Sequence, residues 1–296
     1  MSVVAQEREQ VVAAAIREIS HIATLPEITV KVIELVEDSK STAQDLNKVI
    51  STDPALCSRI LKVVNSSFYG LPGQVGSINR AIVMLGINAV KNIAIAASLA
   101  KLFRGGDLSS QYSARDLWTH CNVTAAGAKI LSNSLKLGLS DEAFLAGLIH
   151  DIGIMVEMQA DRNKLIETFR LVNADAQGVP ANDMLLVEAK VFEATHQDFG
   201  AGLCEKWKFP KSFALVTGFH HRPMDVPEDQ RTLTALIYVA DRLAAETGMG
   251  FRQDLMNTDV DAAVMDYLKL TSEKFAEVRS MVMVASKDAS AALPLG

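Results

Sequence analysis

Five of the six histidines in this 296-residue chain fall between residues 120 and 221: His120, His150, His196, His220 and His221, with His21 standing apart. Each of the five lies in or beside an otherwise apolar helical pattern. Two carboxylates do the same. Asp151 follows His150 inside FLAGLIHDIGIMV, and Asp241 interrupts LTALIYVADRL. A carboxylate buried without a partner costs several kcal/mol, so each must reach water, a base or a cation. Imidazole and carboxylate together suit Fe, Mn, Co, Ni or Zn, and a carboxylate can bridge two ions. A divalent transition metal, as one or two ions, accounts at once for His120, His150, Asp151, His196, His220, His221 and Asp241. A single histidine on an apolar helix is more often a hydrogen-bonded core residue than a ligand. That bland reading is kept for His21. Cys121, Cys204, Trp118, Trp207 and the eleven methionines read as packing. Arg242 is a rival partner for Asp241, although neighbours on a helix diverge.

The elements that must position these groups are helices. On a helix, His150 and Asp151 sit about 100° apart, so both can reach a site at its edge, and His220 and His221 can do likewise. Residues 28–36 carry apolar side chains mainly on one face. Thr42 can cap a helix through Leu46, Val49 and Ile50, and Asp53 with Pro54 opens another through Leu56, Ile60, Leu61 and Val64. Residues 68–76 (FYGLPGQVG) read as a loop. Ser77 starts a helix over 78–85, which Gly86 and Asn88 interrupt before a second apolar helix to Leu102. Residues 104–110 (RGGDLSS) are short, polar and glycine-containing, and mark the expected boundary. Helical patterns follow at about 114–136, 141–158, 160–176, 181–207, 211–221, 229–247 and 260–286. No β-alternating run stands out. The expectation is an all-α protein of two helical domains, 1–110 and 111–290, with the candidate metal site in the second.

The chain is 49% hydrophobic and 22% charged, which is enough apolar material for a real core. A net charge of −6 argues against a general nucleic-acid binder. The three cysteines are far apart and none forms a CxxC pair, so a reducing cytoplasm is expected. The first ten residues lack the pattern of a signal peptide, and the apolar run 93–100 is too short for a bilayer. A cytoplasmic protein with no membrane partner is the expectation.

The order His120, His150-Asp151, His196, His220-His221, Asp241 resembles the HD superfamily of metal-dependent phosphohydrolases. WTHCNVTAAGAKIL is similar to its first-histidine helix and DEAFLAGLIHDIG to its paired His-Asp helix. HQDFGAGLCEKWKFP, GFHHRP and YVADRLA complete the order. The first half narrows the resemblance. Residues 25–70, followed by SINRAIVMLGINAVKNIAI, resemble the HDOD domain, the HD-related output domain. Asp53-Pro54, Asn65-Ser66, Ala81-Ile82 and Leu85-Gly86 stand where that family has its characteristic residues. The resemblance covers roughly residues 18–250.

It implies a bacterial signalling output or regulatory module that acts through other signalling proteins. It also implies a ligand set. One ion would take His120, His150, Asp151 and Asp241; the other would share Asp151 and take His196, His220 and His221. The alternative it implies is a metal-dependent phosphohydrolase acting on a nucleotide or another phosphate ester. Asp151 would then be the bridging catalytic residue, and Arg222 could hold phosphate. Two departures weigh on that alternative. Related cyclic-dinucleotide phosphodiesterases have a lysine where this chain has Ile154, and HHRPMDVPEDQ lacks both their acidic residue and their Gly-Tyr-Pro loop.

Overall fold

The computed structural model describes residues 3–19, 25–38, 40–103, 106–108 and 113–292. His21 lies outside them, as do residues 104–105 and 109–110 of the expected boundary. Among the described residues all regular structure is helical, and the β pairing amounts to one isolated bridge between Asp107 and Ser113.

The chain first forms α1 (Val3–Glu18), α2 (Glu27–Glu37), α3 (Ala43–Ile50), α4 (Pro54–Val64), α5 (Ile78–Leu85) and α6 (Ile87–Leu99). Side-chain caps set several of the starts. Thr42 and Asp45 form a capping box, each satisfying the other's backbone N–H. Asp53 accepts from the Leu56 N–H at 2.9 Å with Pro54 in the first turn, and Ser77 accepts from the Arg80 N–H at 3.2 Å. The loop after α4 is closed by Asn65. Its amide donates to Leu61 O at 2.8 Å and Val75 O at 2.9 Å and accepts from the Val75 N–H at 2.7 Å. That clamp explains why an asparagine is required where the loop turns back. α6 is buried from Ala89 to its end. Its one charged residue, Lys91, runs to the end of α2, where it donates to Leu35 O and, at 2.6 Å, to Ser41 Oγ.

The remaining helices are α7 (Ala114–Ser134), α8 (Ser140–Ile149), α9 (Ile152–Ala160), α10 (Arg162–Val172), α11 (Met184–Val191), α12 (His196–Lys206), α13 (Lys211–Phe219), α14 (Thr232–Glu246), α15 (Ala262–Leu268) and α16 (Ser272–Ala292). α7 is the central strut, with α8, α14 and α16 packed along it. α6 packs on α8, so the apolar core runs without a break from Val12 to Val282.

Three of the long helical patterns prove to be pairs of helices. The pattern at 141–158 breaks at His150-Asp151, the pattern at 181–207 at residues 192–195, and the pattern at 260–286 at Lys269, whose φ is +51°. Apolar periodicity reports which residues face inward, not whether one helix axis continues, and both sides of each break face the same core. The stretch Ser140–Ala160 has the length and composition of a membrane span, but it breaks at its midpoint and 83% of its most apolar window is buried inside the protein.

Glycine permits the decisive close approach. A Cβ on Gly153 would lie 1.8 Å from the His196 carbonyl oxygen, so α9 can cross the start of α12 only without a side chain there. Gly153→Ala is expected to destabilise the protein by about 3 kcal/mol or more, because backbone must move. Urea denaturation checks this, and a midpoint like that of the unmodified chain would contradict the packing.

Candidate metal centre

The local breaks place the chemistry. His150 ends α8 and Asp151 precedes α9, with φ −98° and ψ 15° in the turn between them. The pair therefore stands where two helices meet rather than on the flank of one. His220 ends α13 and His221 follows it in the turn. His196 is the first residue of α12, set by a capping box between Thr195 and Asp198. His120 and Asp241 project from the middles of α7 and α14.

All seven side chains meet. Asp151 lies between two groups. Its Oδ2 is 3.1 Å from His150 Nε2 and 3.8 Å from His120 Nε2, and Asp241 Oδ1 lies 3.0 Å from His120 Nε2. Its Oδ1 is 3.2 Å from His220 Nε2 and 3.9 Å from His196 Nε2, and His196 Nε2 lies 3.1 Å from His221 Nε2. Asp151, His196, His220 and His221 could hold one ion, and His120, His150 and Asp241 another, the donor atoms of each group all lying within 4.8 Å of one another. Donors about 2.0–2.2 Å from a common ion stand about 3–4 Å apart, which is the spacing found.

The far sides of the rings fix which nitrogen faces inward. His150 Nδ1 donates to Gly147 O at 2.8 Å, and His220 Nδ1 donates to Val216 O at 3.2 Å. His196 Nδ1 donates to the Glu188 carboxylate at 2.8 Å. Those acceptors cannot donate, so in the neutral rings the proton sits outside and the Nε2 lone pair points at the cluster. The groups nearest the carboxylate oxygens are imidazoles, His150 Nε2 3.1 Å from Asp151 and His120 Nε2 3.0 Å from Asp241. Wherever such a lone pair meets a carboxylate oxygen, only a proton or a cation between them relieves the repulsion.

Protons can serve part of the cluster. Burial opposes charge on His150, but Asp151, Asp241 and the Gly147 carbonyl outweigh it and push the ring up to about 9. Burial is likewise outweighed at His196, where Glu188 and Asp151 carry it to about 9. His220 is lowered by burial despite Asp151, and His221 is lowered further by burial and by His220 and His196 beside it. Burial would raise Asp151, yet His150 and His220 hold it well below the ordinary carboxylate range. His220 Nε2 and Asp151 Oδ1 lie 3.2 Å apart, and burial works against charge on that ring. A metal fits that gap chemically. Arg242 does not compete: it lies 4.0 Å from Asp241 and stacks on Tyr238 while donating to Asp259 O and Tyr238 O.

Sequence reasoning missed four residues. Glu188 orients His196 through both its backbone N–H and its ring. Glu157 is buried near Glu188, and burial and that neighbouring charge push it well above the usual range. Both acids interrupt apolar helices just as Asp241 does, so the same signal was available. Gln197, with its amide oriented to suit, accepts from the N–H groups of His220 and His221 at 3.2 Å. Asp254, in the loop after α14, has Oδ2 3.6 Å from His221 Nε2, and its polar, irregular segment gives no periodic signal.

Fold and site define an all-α protein with a buried histidine–aspartate centre gathered from the ends and middles of several helices. The family model of the HDOD domain matches residues 22–223, and the chain belongs to the HDOD family. It is similar to a solved structure from Marinobacter aquaeolei VT8, provisionally named a signal transduction protein, at 23% identity and a TM-score of 0.78, covering 98% of this chain and 65% of that one. It is also similar to one from Shewanella amazonensis SB2B, provisionally named a phosphohydrolase, at 21% identity and a TM-score of 0.75, covering 96% and 98%. At these identities the likeness is one of fold. A curated relative from Treponema pallidum (strain Nichols), called an uncharacterized protein, is 24% identical over 232 residues; the match takes in 77% of this chain but only 43% of the relative's length.

His150 and His196 keep protons up to about pH 9 in the metal-free protein, so a cation bound here must displace them. Mn²⁺ affinity is expected to rise as pH is raised toward about 9 and to level off above it, with protons released on binding. Calorimetry in buffers of different ionisation enthalpy counts them. Affinity independent of pH would contradict the assignment.

Proposed function

We propose that the chain is a regulatory module of bacterial signalling whose core is held together by divalent transition metal, as one or two ions. In this reading His120, His150, Asp151 and Asp241 hold one ion, and Asp151, His196, His220 and His221 hold the other. The observation that carries it is the closed cluster of seven imidazole and carboxylate side chains, with one Asp151 oxygen 3.1 Å from His150 Nε2 and the other 3.2 Å from His220 Nε2. Burial supports regulation over turnover. Six of the seven side chains are wholly shielded, and His221 is only 8% exposed, so a phosphate ester has no open approach. An open cleft of about 740 Å³ lies between α1 and α12, and none of the clustered side chains lines it. Residues 1–110 then form the partner-facing half and 111–290 the metal-bearing half, coupled through α6 on α8. The similar structure provisionally named a signal transduction protein points the same way.

A second reading, metal-dependent phosphohydrolysis of a nucleotide or other phosphate ester, is favoured by the placement of Asp151, with one oxygen toward each group. A metal pair would supply charge that steadies the oxygens of an in-line displacement. The chain's own residues supply little beside it. Ile154 is buried and brings no charge to a phosphate, and the contacts of Arg222 are with Phe219 and Asp225 rather than with the cluster.

Elemental analysis of protein purified without chelator is expected to find about one to two transition-metal ions per chain, lost in Asp151→Ala. A panel of phosphate esters, nucleotides and cyclic dinucleotides with added Mn²⁺ or Fe²⁺ is expected to show no turnover. Metal-dependent turnover that His150→Ala abolishes would establish the hydrolase instead.

A further inference from the structure

We propose that Asp254 is a direct carboxylate ligand of the metal centre, closing it between His221 and Asp241. The inference rests on the metal-centre reading and names a residue beyond the seven that the sequence pattern supplies. It also lies outside residues 22–223, the span matched by the HDOD family model.

The position of Asp254 is built rather than incidental. The loop leaves α14 through Gly250, whose φ is +82° and whose added Cβ would lie 2.5 Å from Asp116 O and 2.7 Å from the His120 backbone nitrogen. Only glycine lets this loop lie against the turn of α7 that carries His120. The Phe251 N–H donates to Asp116 O at 3.2 Å, and the Phe251 ring is buried against Phe169 at 5.8 Å between centroids. Leu255 is buried on the far side. The backbone is therefore pinned on both sides of Asp254, and the side chain is delivered to the cluster with no exposure of its own.

Nothing in the fold satisfies it there. Both carboxylate oxygens are buried and lack a hydrogen-bond partner. His221 Nε2 at 3.6 Å is beyond hydrogen-bond reach, and the donor atoms of His221, Asp241 and Asp254 all lie within 4.8 Å of one another. A third carboxylate next to Asp151 and Asp241 is repulsive unless it takes up a proton or positive charge lies among them; burial and those two neighbours push Asp254 up to about 7. These separations leave room for an ion at ordinary bond lengths of about 2.0–2.2 Å but not for a direct hydrogen bond. The ion near His196, His220 and His221 otherwise has only the shared carboxylate of Asp151. Asp254 gives it one of its own and offsets part of the charge that two divalent ions bring.

The test uses the full chain and Mn²⁺ alone. Titration calorimetry and elemental analysis compare the unmodified protein with Asp254→Asn and Asp254→Glu, and thermal melts are recorded for each without metal. Asp254→Asn is expected to lose or weaken one Mn²⁺ by more than the roughly 10- to 100-fold that follows loss of a group merely orienting a ligand. Its metal-free melting point is expected to stay level or rise, because a buried unpaired carboxylate has been removed. Asp254→Glu, which keeps the carboxylate, is expected to retain most of the binding. Asparagine binding Mn²⁺ as the unmodified chain does, or lowering only the metal-free melting point, overturns the proposal and leaves the seven-residue centre intact. An unmodified chain that takes up no Mn²⁺ overturns the metal-centre reading itself and this inference with it.

Discussion

The structure turns on one carboxylate. Asp151 is fully buried, and a histidine ring faces each of its oxygens, His150 at 3.1 Å and His220 at 3.2 Å. An ionised group in that position is a liability of several kcal/mol unless positive charge answers it. The surrounding architecture reads as the means of answering it. Two helix ends, α8 and α13, deliver paired residues, α12 delivers its first, and the middles of α7 and α14 bring in His120 and Asp241. The outward nitrogens of three of the rings are tied off by Gly147, Val216 and Glu188, so their free lone pairs point to one place.

Gathering so many polar groups in a core requires a rigid frame. Gly153 brings the start of α9 against the His196 carbonyl, so the rise of α9 from Asp151 is locked to the start of α12. Beneath His196, the buried acids Glu188 and Glu157 sit close enough that burial and the charge of Glu188 keep Glu157 protonated. The first six helices add no ionisable group to the cluster. They extend the apolar core instead, with α6 packed on α8 and α1 packed on α9 and α12. The apolar packing of that half is continuous with the packing around the centre.

Much of this was legible in the chain. Carboxylates in apolar helices cannot be idle, so Asp151 and Asp241 announced themselves. The start signals at Thr42, Asp53 and Ser77 are local chemistry and the structure bears them out. What stayed hidden has a physical cause in each instance. The break at His150-Asp151 left no proline or glycine at the break itself, and the apolar pattern continues across it because both helices face one core. Glu188 and Glu157 carry the same signal as Asp241 and sit on helices, α11 and α9, that hold none of the clustered histidines. Asp254 sits in irregular chain, where position depends on Gly250 meeting α7 and no periodicity can report it.

The most direct measurement is anomalous X-ray scattering from crystals of the full chain grown without chelator, collected on both sides of the absorption edges of the first-row transition metals. The account predicts strong anomalous peaks beside Asp151, about 2.0–2.2 Å from its oxygens and from the inward Nε2 atoms. Featureless maps, with His220 Nε2 and Asp151 Oδ1 still in contact and joined by a proton, would contradict it.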